Sequence, residues 1–457
     1  MTAGVPEIHE APVVVLGSGL AGLAAARELR RLGIDVVVYE AADRVGGMAD
    51  THRDEHGFAF DTGAHFITNR FAAAVGIANR CRTVQHYGET VWLRGRAHDY
   101  PFGLLRTPHY LGAAVRVRLQ GKVEAGNAAE RFRAEYGAAL ADEVAIPLLE
   151  QWSGLPAEQL SPAVAEKLPG DVAATMALKL AARCTGRAVA IGYCREAPQS
   201  ANVWHVYPED GIAAVCRALA AALPDDVRLA NPVERVLVAD GRAVGVVVAG
   251  REVPAAAVVS TLPAPALARL TDHPALDHLR ELRFRAMVFV NVMLRGRDLL
   301  PDTLTWTPEP GFPGFRLAEP SRSMPWLAPA GRTLVTADLG AEVGDAVWSA
   351  PDDELGEQVA DAMRAIVPTA RRDYLGCHVL RSPVAYPVFD LAHEAARLRL
   401  ADGTGLDRLL SVGRNGEFAH LLMEDSYWRT LRRIRALAAE LMGCAATQDE
   451  GAGVSAG

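Results

Sequence analysis

At 457 residues the chain is too long for one small core and suits two intimately joined domains. Half of its residues are hydrophobic and its formal charge is −8, so there is no electrostatic case for nucleic acid. No window reaches the ~18 uncharged apolar residues of a membrane span, and Met1–Ala11 lacks a basic-then-apolar leader, so no transmembrane segment and a cytoplasmic location are expected.

Val13-Val14-Val15-Leu16 runs into Gly17-Ser18-Gly19-Leu20-Ala21-Gly22, a charged helix follows, and Val36-Val37-Val38-Tyr39 ends on Glu40. A strand, glycine turn, helix and strand closing on an acid make a dinucleotide cradle. Gly17 permits the tight turn, Gly19 admits a pyrophosphate, and Gly22 lets helix and strand pack closely. Leu20 and Ala21 open the helix, whose N–H groups and positive dipole end face the phosphates. Glu40, continuing into Ala41, stands where a carboxylate accepts the ribose hydroxyls, which argues against a 2′-phosphate. Beyond it come Arg44, the second glycine pair Gly46-Gly47, and Phe60-Asp61-Thr62-Gly63-Ala64-His65-Phe66. A second glycine pair allows a second close backbone approach to a doubly charged pyrophosphate.

With these segments in register, the chain resembles the flavin amine oxidase superfamily, in particular its protoporphyrinogen-oxidase-like and phytoene-desaturase-like branches. The resemblance implies FAD. Arg44 and Gly46-Gly47 then hold the pyrophosphate, and Gly63, Ala64 and His65 run beside the isoalloxazine.

Residues 71 to about 200 read as mostly helical. Phe132, Tyr136, Leu140, Val144 and Leu148 recur every four positions over Arg131–Leu149 and predict one helix, with short helices punctuated by prolines after it. Within this region, 100–118 mixes apolar and basic residues; a substrate-domain wall is the first reading and peripheral membrane contact the second. Tyr207-Pro208-Glu209-Asp210-Gly211-Ile212 opens a helix to Leu223 and, by the resemblance, marks the return to the FAD domain. From there the period changes: Val233–Val238, a turn at Asp240-Gly241, Val244–Val248 and Glu252–Val259 predict a meander. The resemblance puts Val233 by the adenine and Thr261 close to the nucleotide. Residues 281–295 and 333–339, with a helix at 353–366, read as the substrate-domain sheet.

Near the C-terminus, Leu409–Val412 is a strand ending at Gly413-Arg414, Asn415–His420 a loop, and Ser426–Leu441 a helix with Asp425 or Ser426 as N-cap. In the protoporphyrinogen-oxidase-like branch the helix start, here Leu422-Met423, faces the flavin N1–C2=O edge, where the dipole stabilises negative charge on reduced flavin.

The expected fold is α/β: a Rossmann-like FAD domain (1–70, 201–280 and 386–443) and a discontinuous α+β substrate domain (71–200 and 281–385), with 444–457 a disordered tail. The catalytic candidates are His65, Tyr386 and Arg414, with His420 considered beside them and His205 an outside candidate; the first reading is a hydrogen bond to FAD for His65, a wall position for Tyr386 and positioning of FAD for Arg414, which with Gly413 is also counted among the cofactor-binding residues. The six cysteines, at 81, 184, 194, 216, 377 and 444, form neither a CxxC pair nor a cluster with histidines, so no metal site and no disulfide frame are expected. None lies by the C-terminal motif as a flavin tether, so FAD is expected to be non-covalent. Several departures from the family cast doubt on amine oxidation: no lysine in the strand region of Arg283 and Arg285, Met48 after the glycine pair, and His420 and Glu424 in place of tyrosine and aspartate. The reading is an FAD-dependent oxidoreductase taking hydride from a medium-sized organic substrate, its oligomeric state open. Two rivals stand: a non-redox sugar-nucleotide mutase similar to UDP-galactopyranose mutase, and a dinucleotide-binding protein without turnover.

Overall fold

The structure is a computed structural model describing residues 11–120, 124–167 and 172–443. The tail expected to be disordered, 444–457, lies outside the described residues. Two sheets organise the fold. The first is parallel and five-stranded, in the order Val227–Arg228, Val36–Tyr39, Val13–Leu16, Ala257–Ser260, Leu409–Ser411. Its central strand is apolar at every position because it is covered on both faces: Val13 and Val15 enter one core, Val14 and Leu16 the other. Helix Leu20–Arg31 follows the glycine turn and packs against the long C-terminal helix Met423–Leu441. Glu28, buried between them, binds Arg31 at 2.8 Å and Arg435 at 2.7 Å, tying the two ends of the chain together.

The second sheet has seven strands, in the order Tyr374–Pro387, Phe284–Arg295, Arg332–Ala341, Arg316–Ala318, Leu304–Trp306, Glu89–Leu93, Arg96–Asp99. Helix Asp352–Ala362 covers one face, burying Leu355 and Val359 against Val288, Val290 and Val335. Met287 and Phe289 point to the other face, as alternation in a strand requires.

Several expectations are corrected. The region read as mostly helical contributes two strands of this sheet, Glu89–Leu93 and Arg96–Asp99, joined at Arg94-Gly95, both at positive φ. Strands this short carry too few alternations to register as a period. The helix expected over Arg131–Leu149 stops at Tyr136, because Gly137 takes φ 81° where a Cβ would meet the Ala113 carbonyl at 2.6 Å; it resumes through a π-helical turn, Ala141–Ala145. Tyr207 and Pro208 end a strand, His205–Pro208, and the helix begins only at Ala213. The run Glu252–Val259 divides: Arg251–Pro254 completes the three-stranded meander, while Ala257–Ser260 joins the parallel sheet. The Ala255 N–H still donates to the Val244 carbonyl at 2.9 Å, and the switch comes at the next residue, whose N–H donates to the Pro12 carbonyl at 3.1 Å. Neither Asp425 nor Ser426 caps the final helix; its N-cap is Leu422, without a side-chain bond. Asp425 instead accepts from the backbone N–H of Arg195 at 2.6 Å. The loop expected at Asn415–His420 begins with a helical turn, Gly413–Gly416.

Candidate active site

The glycine turn is built by close approach. Gly17, at φ 97°, lies against Thr261, whose Oγ1 donates to the Leu16 carbonyl at 2.8 Å; a Cβ on Gly17 would meet that oxygen at 2.5 Å. A Cβ on Gly22 would stand 1.9 Å from the Gly17 carbonyl oxygen, so helix and turn touch through backbone alone. Gly19 pairs with Gly46 as an isolated bridge, and the Gly46 N–H donates to the Ser18 carbonyl at 3.1 Å. With Gly47 beside Gly19, the mouth of the turn carries no side chain, and Leu20, Ala21 and Gly22 bring the first helical N–H groups to it.

Glu40 stands at the end of its strand with its carboxylate fixed: Oε2 accepts from the Ser18 N–H at 2.7 Å and hydroxyl at 2.9 Å, and Oε1 from the Ala42 N–H at 2.9 Å. Three of a carboxylate's about four acceptor sites are thus used within the protein, and the Ser18 hydroxyl is free to rotate off a second. Ala41 lies inside this Glu40–Ala42 loop. The Asn231 N–H donates to the Glu40 carbonyl at 2.8 Å, which brings the segment leading to Val233 alongside it. Arg44 sits at the rim, largely exposed and paired with Asp50 at 3.1 Å.

At the far end the termini converge. A Cβ on Gly413 would lie 2.6 Å from the Ala21 Cβ, placing the C-terminal turn on the first turn of the nucleotide helix. A cavity of about 120 Å³ is lined by Ala64, His65 and Thr68 from one side and by Leu422, Met423 and Glu424 from the other. Gly63 is held flush against Phe289, where a Cβ would stand at 3.3 Å. His65 Nδ1 is buried without a hydrogen-bond partner, 3.7 Å from Asp61 Oδ2. Asp61 is engaged by the Tyr207 hydroxyl at 2.5 Å and the Thr51 hydroxyl at 2.7 Å. Glu424, at the helix start, is satisfied by Arg70 at 2.6 Å, Trp428 at 3.1 Å and the Thr68 hydroxyl at 2.7 Å.

Leu304 and Arg316 of the second sheet, with Tyr193, add to the lining of this cavity. Tyr386 packs edge-on against Trp152 at 5.3 Å, and the Arg414 guanidinium lies 4.4 Å over its ring. His420 packs on Trp152 and Phe389 at 4.9 and 4.3 Å. His205 is fully buried among Phe66, Tyr87 and Tyr193; burial pushes it down to about 3, so it is a neutral packing ring. Arg283 and Arg285 both reach Glu342, and it is Met287 that joins Met48, Trp306 and Tyr386 in one cluster.

Residues that sequence reasoning missed are Arg316, Asp338 and Tyr193. Arg316 lines the cavity, binds the fully buried Asp338 and lies over the Trp306 ring at 5.5 Å. A signal existed: Asp338 stands in the largely apolar run Leu334-Val335-Thr336-Ala337-Asp338-Leu339, and a carboxylate there demands a cationic partner.

The residues fit an adenine dinucleotide: the glycine cradle closes through backbone alone, Glu40 holds a fixed carboxylate at the end of the neighbouring strand, and Ala64–Thr68 and Leu422–Glu424 line a cavity with His65, whose Nδ1 has no hydrogen-bond partner. Among solved structures, reduced UDP-galactopyranose mutase shares the fold at 19% identity, over 96% of this chain and 98% of that one, with a TM-score of 0.73. A candidate protoporphyrinogen oxidase of Exiguobacterium sp. 255-15 does so at 18% identity, over 94% and 99%, with a TM-score of 0.71. At such identities the likeness concerns the fold. In sequence, flavin-containing amine oxidase A of Sus scrofa is 46% identical over 59 residues, which are 13% of this chain and only 11% of that relative. The model for flavin-containing amine oxidoreductases matches residues 20–401, most of the chain, and the protein belongs to that family of FAD-dependent enzymes.

Proposed function

We propose that the protein is an FAD-dependent oxidoreductase that removes hydride and a proton from a medium-sized organic substrate. The observation that carries this reading is the meeting of Ala64–Thr68 with Leu422–Glu424 on one cavity, together with the seating of Gly413 on Ala21 at the first turn of the nucleotide helix. Bound FAD supplies the hydride acceptor. The chain's own residues bind and orient. Gly17, Gly19 and Gly46-Gly47 leave room for the pyrophosphate, and Leu20, Ala21 and Gly22 present N–H groups at a positive helix end. Glu40 accepts from the ribose, with Ala41 beside it and Val233 flanking the adenine; Arg44 closes the rim. Thr261 braces Gly17, Gly63 and Ala64 flank the ring, and Leu422 and Met423 bring a second positive helix end to its edge. His65, whose buried Nδ1 has no hydrogen-bond partner, holds or passes on a proton at that atom. Tyr386 and Arg414 form the substrate wall.

The same reading divides the chain into an FAD domain (1–70, 201–280 and 386–443) and a substrate domain (71–200 and 281–385). It holds FAD without a covalent bond and works in the cytoplasm, a location supported by the free thiols of Cys81, Cys194, Cys216 and Cys377. No described helix is long and apolar enough to cross a membrane.

The test is anaerobic: FAD-loaded protein is mixed with a panel of amines, alcohols, cyclic enones and carboxylates, and loss of the visible flavin band is followed. Bleaching by at least one member with matching product is expected. Turnover that appears only after dithionite reduction and leaves no net electron transfer would overturn the reading in favour of a mutase.

A further inference from the structure

The helix Pro108–Gln120 is apolar on both of its faces, and the fold covers only one. Its inner face is seated: Tyr110 is buried with Val91, Leu93 and Leu104, and Ala113 lies on Gly137. On the outer face Leu111, Val115 and Leu119 recur every fourth residue and form one stripe, 48%, 50% and 83% exposed. Single exposed leucines are ordinary on a protein surface, but a row of three along one helix marks an interaction face. Arg118 shares the stripe and Arg116 borders it; both are exposed, and among the described residues neither has an ion-pair partner. The arginines of the C-terminal helix behave differently: Arg429 and Arg432 are paired with Glu196, Arg433 with Glu417 and Arg435 with Glu28.

The charge around the stripe has one sign. Residues 100–123 hold Arg106, Arg116, Arg118 and Lys122 and no acid, in a chain whose formal charge is −8. Residues 172–195 are again free of acids, and Lys179 ties their helix, Val172–Thr185, to the first segment by donating to the Tyr100 carbonyl at 2.7 Å. The neighbouring carboxylates do not neutralise the stripe. Asp99 stands 3.9 Å from Arg106, Glu143 is held by Arg94, His109 and Tyr110, and Glu124 follows only after the helix has ended.

A second copy of this chain seated on the stripe would press one basic patch on another. A bilayer with anionic headgroups instead accepts both parts: leucine side chains enter the acyl boundary while the arginines reach phosphates. The total charge of −8 does not prevent this, because at physiological ionic strength charges more than about 8 Å away are largely screened and the local patch decides.

We infer that Leu111, Val115 and Leu119, with Arg116 and Arg118, seat the protein on an anionic membrane surface, the helix Pro108–Gln120 lying along the headgroups.

The experiment sediments the full-length protein, as purified, with vesicles of phosphatidylcholine alone and of an equal mixture of phosphatidylcholine and phosphatidylglycerol. Binding to the mixed vesicles is expected, weakening as salt rises. The pair Arg116→Gln with Arg118→Gln should cut the partition about thirtyfold, roughly a factor of five for each arginine. The triple substitution Leu111→Ser, Val115→Ser and Leu119→Ser should cut it at least tenfold. These side chains are exposed, so both variants should keep the parent's circular dichroism and urea midpoint, and Val343→Ser, at an exposed apolar position on another segment, should bind as the parent does. No binding to the mixed vesicles, equal binding to phosphatidylcholine alone, or folded variants that partition like the parent overturns the inference. A concentration-dependent dimer in sedimentation velocity, dissolved by the triple substitution, would also overturn it and give the face to a second copy.

Discussion

Gly413 and Gly33 form a matched pair for testing whether the two ends of the chain meet. Their φ angles are 81° and 80°, so alanine at either position carries the same left-handed penalty, about 1–2 kcal/mol. Around Gly33 nothing lies within 4 Å, and that penalty is the whole cost. At Gly413 the new methyl would stand 2.6 Å from the Ala21 Cβ, roughly 1 Å inside ordinary contact, and overpacking adds about 1–3 kcal/mol. Gly413→Ala should therefore lose about 2–5 kcal/mol and Gly33→Ala about 1–2. The excess acts at the first turn of helix Leu20–Arg31, whose N–H groups are the proposed pyrophosphate site, so FAD affinity should fall at least tenfold in Gly413→Ala alone. Urea midpoints give the stabilities and fluorescence titration with FAD the affinities. Equal losses at the two positions, or full FAD affinity in Gly413→Ala, would refute the contact and the reasoning built on it.

Glu40→Gln keeps the shape of the side chain but cannot satisfy both Ser18 and Ala42, so one charge-assisted bond is lost and an amide faces an N–H; about 1.5–3 kcal/mol of stability and a tenfold to hundredfold loss in FAD affinity are expected in the same assays. Gly22→Ala places a methyl 1.9 Å from the Gly17 carbonyl oxygen, and the turn must open by about 1 Å; reconstitution monitored by the flavin spectrum should fail. Arg31, then Arg435, hold Glu28 down at about 2 against an ordinary value of 4.5, a shift worth about 3 kcal/mol unscreened and about 1–2 kcal/mol with both guanidinium groups largely in water. Because the folded-state value is depressed, this stability is present above pH 4.5 and is lost as pH falls towards about 2; the difference between parent and Glu28→Gln in urea titrations should shrink over that window.

The first sheet and its cradle were legible because their signals are local. Gly17, Gly19, Gly22 and Glu40 lie on one βαβ unit, where spacing along the chain fixes spacing in space. Gly413 and Met423 were legible only through a family resemblance, and the packing of Gly413 on Ala21 gives that resemblance a physical basis. What escaped was non-local. Arg316 sits on a three-residue strand, too short to show a period, and its meaning depends on Asp338 across the sheet. The capping role given to Asp425 and Ser426 failed because a distant segment, Arg195–Glu196, claims the Asp425 carboxylate. The hairpin at Arg94-Gly95 was hidden because arginine is an uncommon residue at positive φ.

The most direct measurement is reconstitution of the purified chain with FAD, followed by heat release and identification of the flavin. One FAD per chain, bound with a structured visible spectrum and freed intact by denaturation, is the predicted result. A chain that folds to the expected stability yet takes up neither FAD nor any other adenine dinucleotide would contradict the account.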